Sequence, residues 1–151
     1  MKRIPNLKIQ LVRDGSSLYN TNAISCPEDA AEIASKFFED MSSDREIFAV
    51  MLLNTKNHVV GINVVSIGSL TASVVHPREV FKAACLANAA SIILTHNPPS
   101  GDPAPSKEDI SITARLVQAG RLMDIPVLDH IIIGDNTDRS ISFKANDLIK
   151  D

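Results

Sequence analysis

The chain reads as an α/β domain of the α+β kind, on three observations. Residues 46–53, E-I-F-A-V-M-L-L, are apolar on both faces, as a central strand requires. A second apolar run, 91–94, passes through a Pro/Gly-rich loop into a long amphipathic stretch that ends near Asp124. A third, 126–134, P-V-L-D-H-I-I-I-G, follows directly, so strand, helix and strand alternate. With 151 residues the chain can bury a sizeable core, and 1–151 is expected to form a single domain.

The elements follow in order. Residues 7–12, L-K-I-Q-L-V, alternate and predict an edge strand ended by Asp14-Gly15. Ser25-Cys26-Pro27-Glu28-Asp29 is a helix start, with Pro in the first turn and acids on the positive end, and the helix runs to about Met41. Ala30, Ile33, Ala34, Phe37 and Phe38 supply its apolar face. After the strand at 46–53, the turn Asn54-Thr55-Lys56-Asn57 returns the chain as a hairpin over 58–67, and 71–75 is a further short strand. His76-Pro77-Arg78-Glu79 opens a helix that Asn88 closes, with Val80, Phe81, Ala84, Cys85 and Ala87 expected in the core. The last strand, 139–143, pairs back across a turn at 135–138, and 145–150 is expected to be a short terminal helix.

Composition excludes some classes of function. A net charge of -3 without a basic run gives no support to direct nucleic-acid binding. No apolar run approaches membrane length and residues 1–15 lack a signal-peptide core, so the expectation is a cytoplasmic protein with Cys26 and Cys85 reduced. Cys85 is expected to pack as a small hydrophobe.

The chemistry concentrates in 95–109, T-H-N-P-P-S-G-D-P-A-P-S-K-E-D. His96 closes a buried strand and Asp109 sits in the next helix's first turn, the crevice where open α/β sheets place their sites. The prolines of the loop fix φ and stiffen the connection, which suits two side chains that must converge, or an ordinary tight crossover. On the helix, Ser111, Arg115 and Gln118 form a polar stripe and Ile112, Leu116, Ala119 and Met123 an apolar one. Asp109 projects beside Thr113 and Leu116, away from the polar stripe, and an inward acid needs a partner. It also lies three residues after Ser106, the spacing of a capping box, and the two roles are compatible. Glu46 begins the central strand as a surface acid or a site residue. Asp129 and His130 interrupt an apolar strand as a buried hydrogen-bonded couple or as support for a site.

Together, E-I-F-A-V-M-L-L-N-T-K-N, V-H-P-R-E-V-F, L-T-H-N-x-P-S-G-D-P-x-P-S-x-x-D and D-H-I-I-I-G resemble the RadC-like branch of the MPN/JAB (JAMM) metalloprotease domain family over 46–143. The resemblance implies a curved mixed β-sheet flanked by helices. It implies a zinc site in which His96 and Asp109 match metal ligands, Glu46 the general base and Ser106 an oxyanion-stabilising hydroxyl. Full-length RadC-like proteins usually carry a helix-hairpin-helix region ahead of this domain. Residues 1–45 read instead as a strand and a helix, so a stand-alone domain is expected.

The chain departs from the pattern at Pro98, where the family has its second histidine. One ligand of a four-ligand zinc site carries roughly 3 kcal/mol, about a hundredfold in affinity. Two readings follow. One is a JAMM-type zinc hydrolase cleaving peptide or isopeptide amides by a metal-activated water, weakened at Pro98. The other is an inactive MPN-type binding or scaffold module, with a DNA-repair association carried by the family name alone. Either expects a peptide or protein substrate or partner, no membrane, and leaves a homodimer open.

Overall fold

The structure, a computed structural model, describes residues 1–41, 44–68, 75–135 and 139–150. The elements are α1 (Pro27–Met41), β1 (Glu46–Leu53), β2 (Val59–Gly68), α2 (Pro77–Leu86), β3 (Ser91–Asn97), α3 (Lys107–Met123), β4 (Val127–Ile133) and β5 (Ser140–Ser142). The five strands form one mixed sheet in the order β2-β1-β3-β4-β5. The β3-β4 pair is parallel, joined by the α3 crossover, and the others are antiparallel. This is the α+β arrangement expected from the sequence.

β1 is hydrogen-bonded on both sides and buried at every position after Glu46, which explains its unbroken apolar run. Its alternate residues divide the core. Phe48, Val50 and Leu52 join Ile92, Leu94, Val80, Phe81 and Leu116 on the face covered by α2 and α3. Ile47, Met51 and Leu53 join Ile93, Ile131 and the Ala30, Ile33, Ala34 and Phe38 stripe of α1 on the other. Sliding β1 by one residue would exchange these faces and turn Glu46 from one to the other, so core burial also sets the register of the site.

Several sequence expectations differ from the structure. Residues 7–12 form no strand: Leu7, Ile9, Leu11 and Val12 are exposed. Their alternation is that of an edge strand, but no strand among the described residues pairs with them. The terminal helix at 145–150 is replaced by turns, because Asp147 takes a left-handed backbone (φ 56°) and stops the coil. Cys85 is exposed, since α2 buries Val80, Phe81, Ala83 and Ala84 and the next residue turns outward. The strand expected at 71–75 lies outside the described residues except for Val75, and the turn at 135–138 except for Asp135.

Candidate metal centre

Antiparallel pairing places Phe48 opposite His96, so Glu46, two residues before Phe48, shares the His96 face of the sheet. The strand ends are tied together where Asn97 Oδ1 accepts the Ile47 N–H at 2.8 Å, which holds the start of β1 against the end of β3. From β3 the chain enters the proline loop. The Gly101 N–H donates to Pro98 O, and the Asp135 N–H donates to Gly101 O beyond β4. Gly101 has φ +75°, and a Cβ there would lie 2.9 Å from Asp135 Cβ, so a side chain is excluded both by backbone and by space. The loop is therefore docked on the end of β4 and delivers α3 in a fixed position.

Ser106 caps α3. Its Oγ accepts the Asp109 N–H at 3.0 Å, and Asp109 Oδ2 accepts the Ser106 N–H at 2.9 Å. The capping box leaves Oδ1 of the same carboxylate for another partner. That oxygen lies 3.5 Å from His96 Nε2, and Glu46 Oε1 lies 3.8 Å from the same nitrogen. Asp109 is thus at once a cap and a member of an inward cluster.

Glu46, His96 and Asp109 bring one potential ligand atom each to within 4.8 Å of one another. Ligands at zinc-like distances on a tetrahedral ion lie about 3.3–3.6 Å apart. The His96 to Asp109 separation falls in that range and the Glu46 separation just outside it. One imidazole with two carboxylates is a donor set suited to a divalent cation. His96 is only 2% exposed while the carboxylates are about one-fifth exposed, so the cluster opens to solvent on its acidic side. Burial raises the Glu46 pKa, with His96 opposing and Asp109 adding to the rise. Burial alone would also raise Asp109, but hydrogen bonding and charge from His96 when a proton sits on its Nε2, with the Ser106 bonds, outweigh it and hold that carboxyl well below the usual range.

Behind the cluster, His96 Nδ1 meets His130 Nε2 at 2.8 Å, and His130 Nδ1 meets Thr113 Oγ1 at 2.6 Å. Phe48 stacks along His96 and Phe143 along His130, so both rings are clamped. Asp129 faces elsewhere. It accepts from the His130 backbone N–H, the Ser142 hydroxyl and the Lys144 N–H, binding β4 to β5 and the turn after it. Pro98 stands just past the end of β3, half-buried, with no side-chain donor atom. Sequence reasoning did not assign Thr113 a role. The signal was its place four residues after Asp109 on the inner side of α3.

A family model for the RadC-like JAB domain matches residues 24–148. A UPF0758 protein of Desulforamulus reducens is 54% identical over 122 residues, covering 81% of this chain and 53% of the relative. One from Shouchella clausii is 58% identical over 113 residues, covering 74% and 48%. One from Methanococcoides burtonii is 53% identical over 105 residues, covering 70% and 45%. The chain spans about half the length of these relatives.

Proposed function

The chain belongs to the RadC-like JAB domain family, and from that premise we propose that it is a zinc-dependent hydrolase of peptide or isopeptide amide bonds. The observation that carries this reading is the convergence of Asp109 Oδ1 and Glu46 Oε1 on His96 Nε2, at 3.5 and 3.8 Å. His96 and Asp109 would hold the ion. When bound, zinc would supply Lewis acidity toward the amide carbonyl and lower the pKa of a water.

The chain's own groups supply the rest. Glu46 takes the proton of the attacking water and returns it to the leaving amine. Its pKa is raised by burial, which makes the carboxylate a stronger base than an exposed glutamate. Ser106 accepts the Asp109 N–H through Oγ, which leaves its own O–H to donate to the developing oxyanion. The capping box therefore fixes the orientation of two proposed site residues.

A second reading has one specific observation in its favour. Pro98 leaves the family's ligand pattern one histidine short, which suits a scaffold module that binds a peptide or protein partner without cleaving it. Metal content of protein purified without added zinc, followed by a competition titration, separates the two. One tightly held zinc per chain supports the hydrolase and directs a screen of peptide and isopeptide substrates. A folded protein without zinc affinity supports the scaffold. Pro98→His should raise zinc affinity at least about tenfold, the scale of a lost ligand. Unchanged affinity would mean that position 98 does not face the ion.

A further inference from the structure

We propose that Thr113 is a positioning residue that, through His130, sets the tautomer of His96 and keeps its Nε2 free of a proton for a metal. The donors and acceptors along this chain allow one assignment. Thr113 Oγ1 lies 2.6 Å from the Asp109 carbonyl oxygen, which can only accept, so the single hydroxyl proton is committed there. The same Oγ1 lies 2.6 Å from His130 Nδ1, and with its proton spent it must accept, so Nδ1 carries the hydrogen. His130 is completely buried, and its ring nitrogens meet His96 and Thr113 rather than a carboxylate that would support a charged ring. A neutral ring protonated at Nδ1 has a bare Nε2, so His130 accepts from His96 Nδ1–H at 2.8 Å.

The result is a directed chain from a main-chain carbonyl to the cluster. It begins at Asp109 O and ends at His96 Nε2, which faces Asp109 Oδ1 and Glu46 Oε1. A lone pair aimed at two carboxylates is a repulsive arrangement unless a cation stands between them, whether a proton or a metal ion. The opposite tautomer would place a covalently held hydrogen where the ion binds. Stacking of Phe48 on His96 and of Phe143 on His130 opposes ring flips that would escape the assignment. Because Thr113 lies one turn beyond Asp109 on α3, the helix that carries one ligand also sets the state of the other.

The purpose of the chain rests on the metal-binding reading, but its geometry does not, and the test keeps them apart. The metal-free protein is labelled with 15N-histidine and raised in pH until its imidazole signals stop moving. Two-bond proton-nitrogen correlations then report which ring nitrogen of His96 bears hydrogen. The wild type is expected to show Nδ1–H, and Thr113→Val is expected to shift the hydrogen of His96 to Nε2. In zinc competition, Thr113→Val should lose about 10–100-fold in affinity, the scale of a lost outer-shell partner, while Thr113→Ser, which keeps the hydroxyl, stays close to wild type. Nε2–H in the wild type overturns the proposal, as does Nδ1–H retained in Thr113→Val. Should Thr113→Val fail to fold, the wild-type tautomer still decides. Should the wild type hold no zinc, the hydrolase reading falls while the tautomer result stands by itself.

Discussion

His96 shows how one side chain takes its chemistry from several directions. Its strand position sets the face, Phe48 fixes the ring plane, His130 occupies Nδ1, and two carboxylates surround Nε2. Glu46 differs from Asp109, which the capping box pins, in having no such hydrogen bonds among the described residues. If Glu46 is the proton carrier, Glu46→Gln should lower amide hydrolysis by about 10²–10⁴-fold and change zinc affinity by less than about tenfold. A large loss of zinc affinity in the same variant would make Glu46 a third ligand in the place Pro98 leaves open. His96, Asp109, Ser106 and Glu46 were all legible as candidates, because strand ends, helix first turns and capping spacing are local patterns. Thr113 was not, since its importance comes from a histidine 17 positions away.

The caps make predictions at the level of the element. Asp29 Oδ2 accepts from the Ser25 N–H and hydroxyl and from the Cys26 N–H, closing the first turn of α1. These bonds, the Ser25 N–H foremost, hold the Asp29 pKa below its ordinary value. A depressed carboxylate pKa stabilises the fold above the unfolded value of about 3.9 and loses that contribution as pH falls through the folded value. Asp29→Asn should therefore lower Tm near pH 7, and the gap from wild type should close in melts taken toward about pH 2. A constant gap would show that the cap acts without its charge. In α3, Gly120 sits where a Cβ would meet Ile125 O at 2.6 Å, with Phe81 and Val127 at 3.4 Å. Gly to Ala in a helix interior ordinarily gains up to about 1 kcal/mol. Here Gly120→Ala should instead cost about 1–3 kcal/mol in a denaturant melt, the price of overpacking. A gain would mean that α3 moves away from the sheet at little cost.

At the level of the whole molecule, the family match begins at residue 24, and residues 1–15 lie exposed along their length. Their apolar residues bury nothing in the domain, so removing 1–15 should change its unfolding free energy by less than about 0.5 kcal/mol. A larger loss in matched melts would show that the segment packs in solution. The chain spans about half the length of its curated relatives, and Ile4, Leu7 and Ile9 are exposed ahead of the matched residues. No helix among the described residues is long and apolar enough to cross a membrane.

Local periodicity and turn signals carried the three helices and all five strands, because burial on one or both faces imprints directly on residue order. The same logic failed at 7–12, where an alternating pattern has no strand to pair with among the described residues, and at 145–150, where a single left-handed Asp147 ends the turn. Residue order alone was sufficient for the family motif. What needed three dimensions was convergence. Register brings Glu46 to His96 across antiparallel strands, and the docked loop brings Asp109 to the same nitrogen. The parallel β3-β4 pair sets His130 beside both. Hydrogen bonding through Thr113 then assigns each proton, and a proton's position depends on every neighbour in the chain of bonds rather than on any one residue.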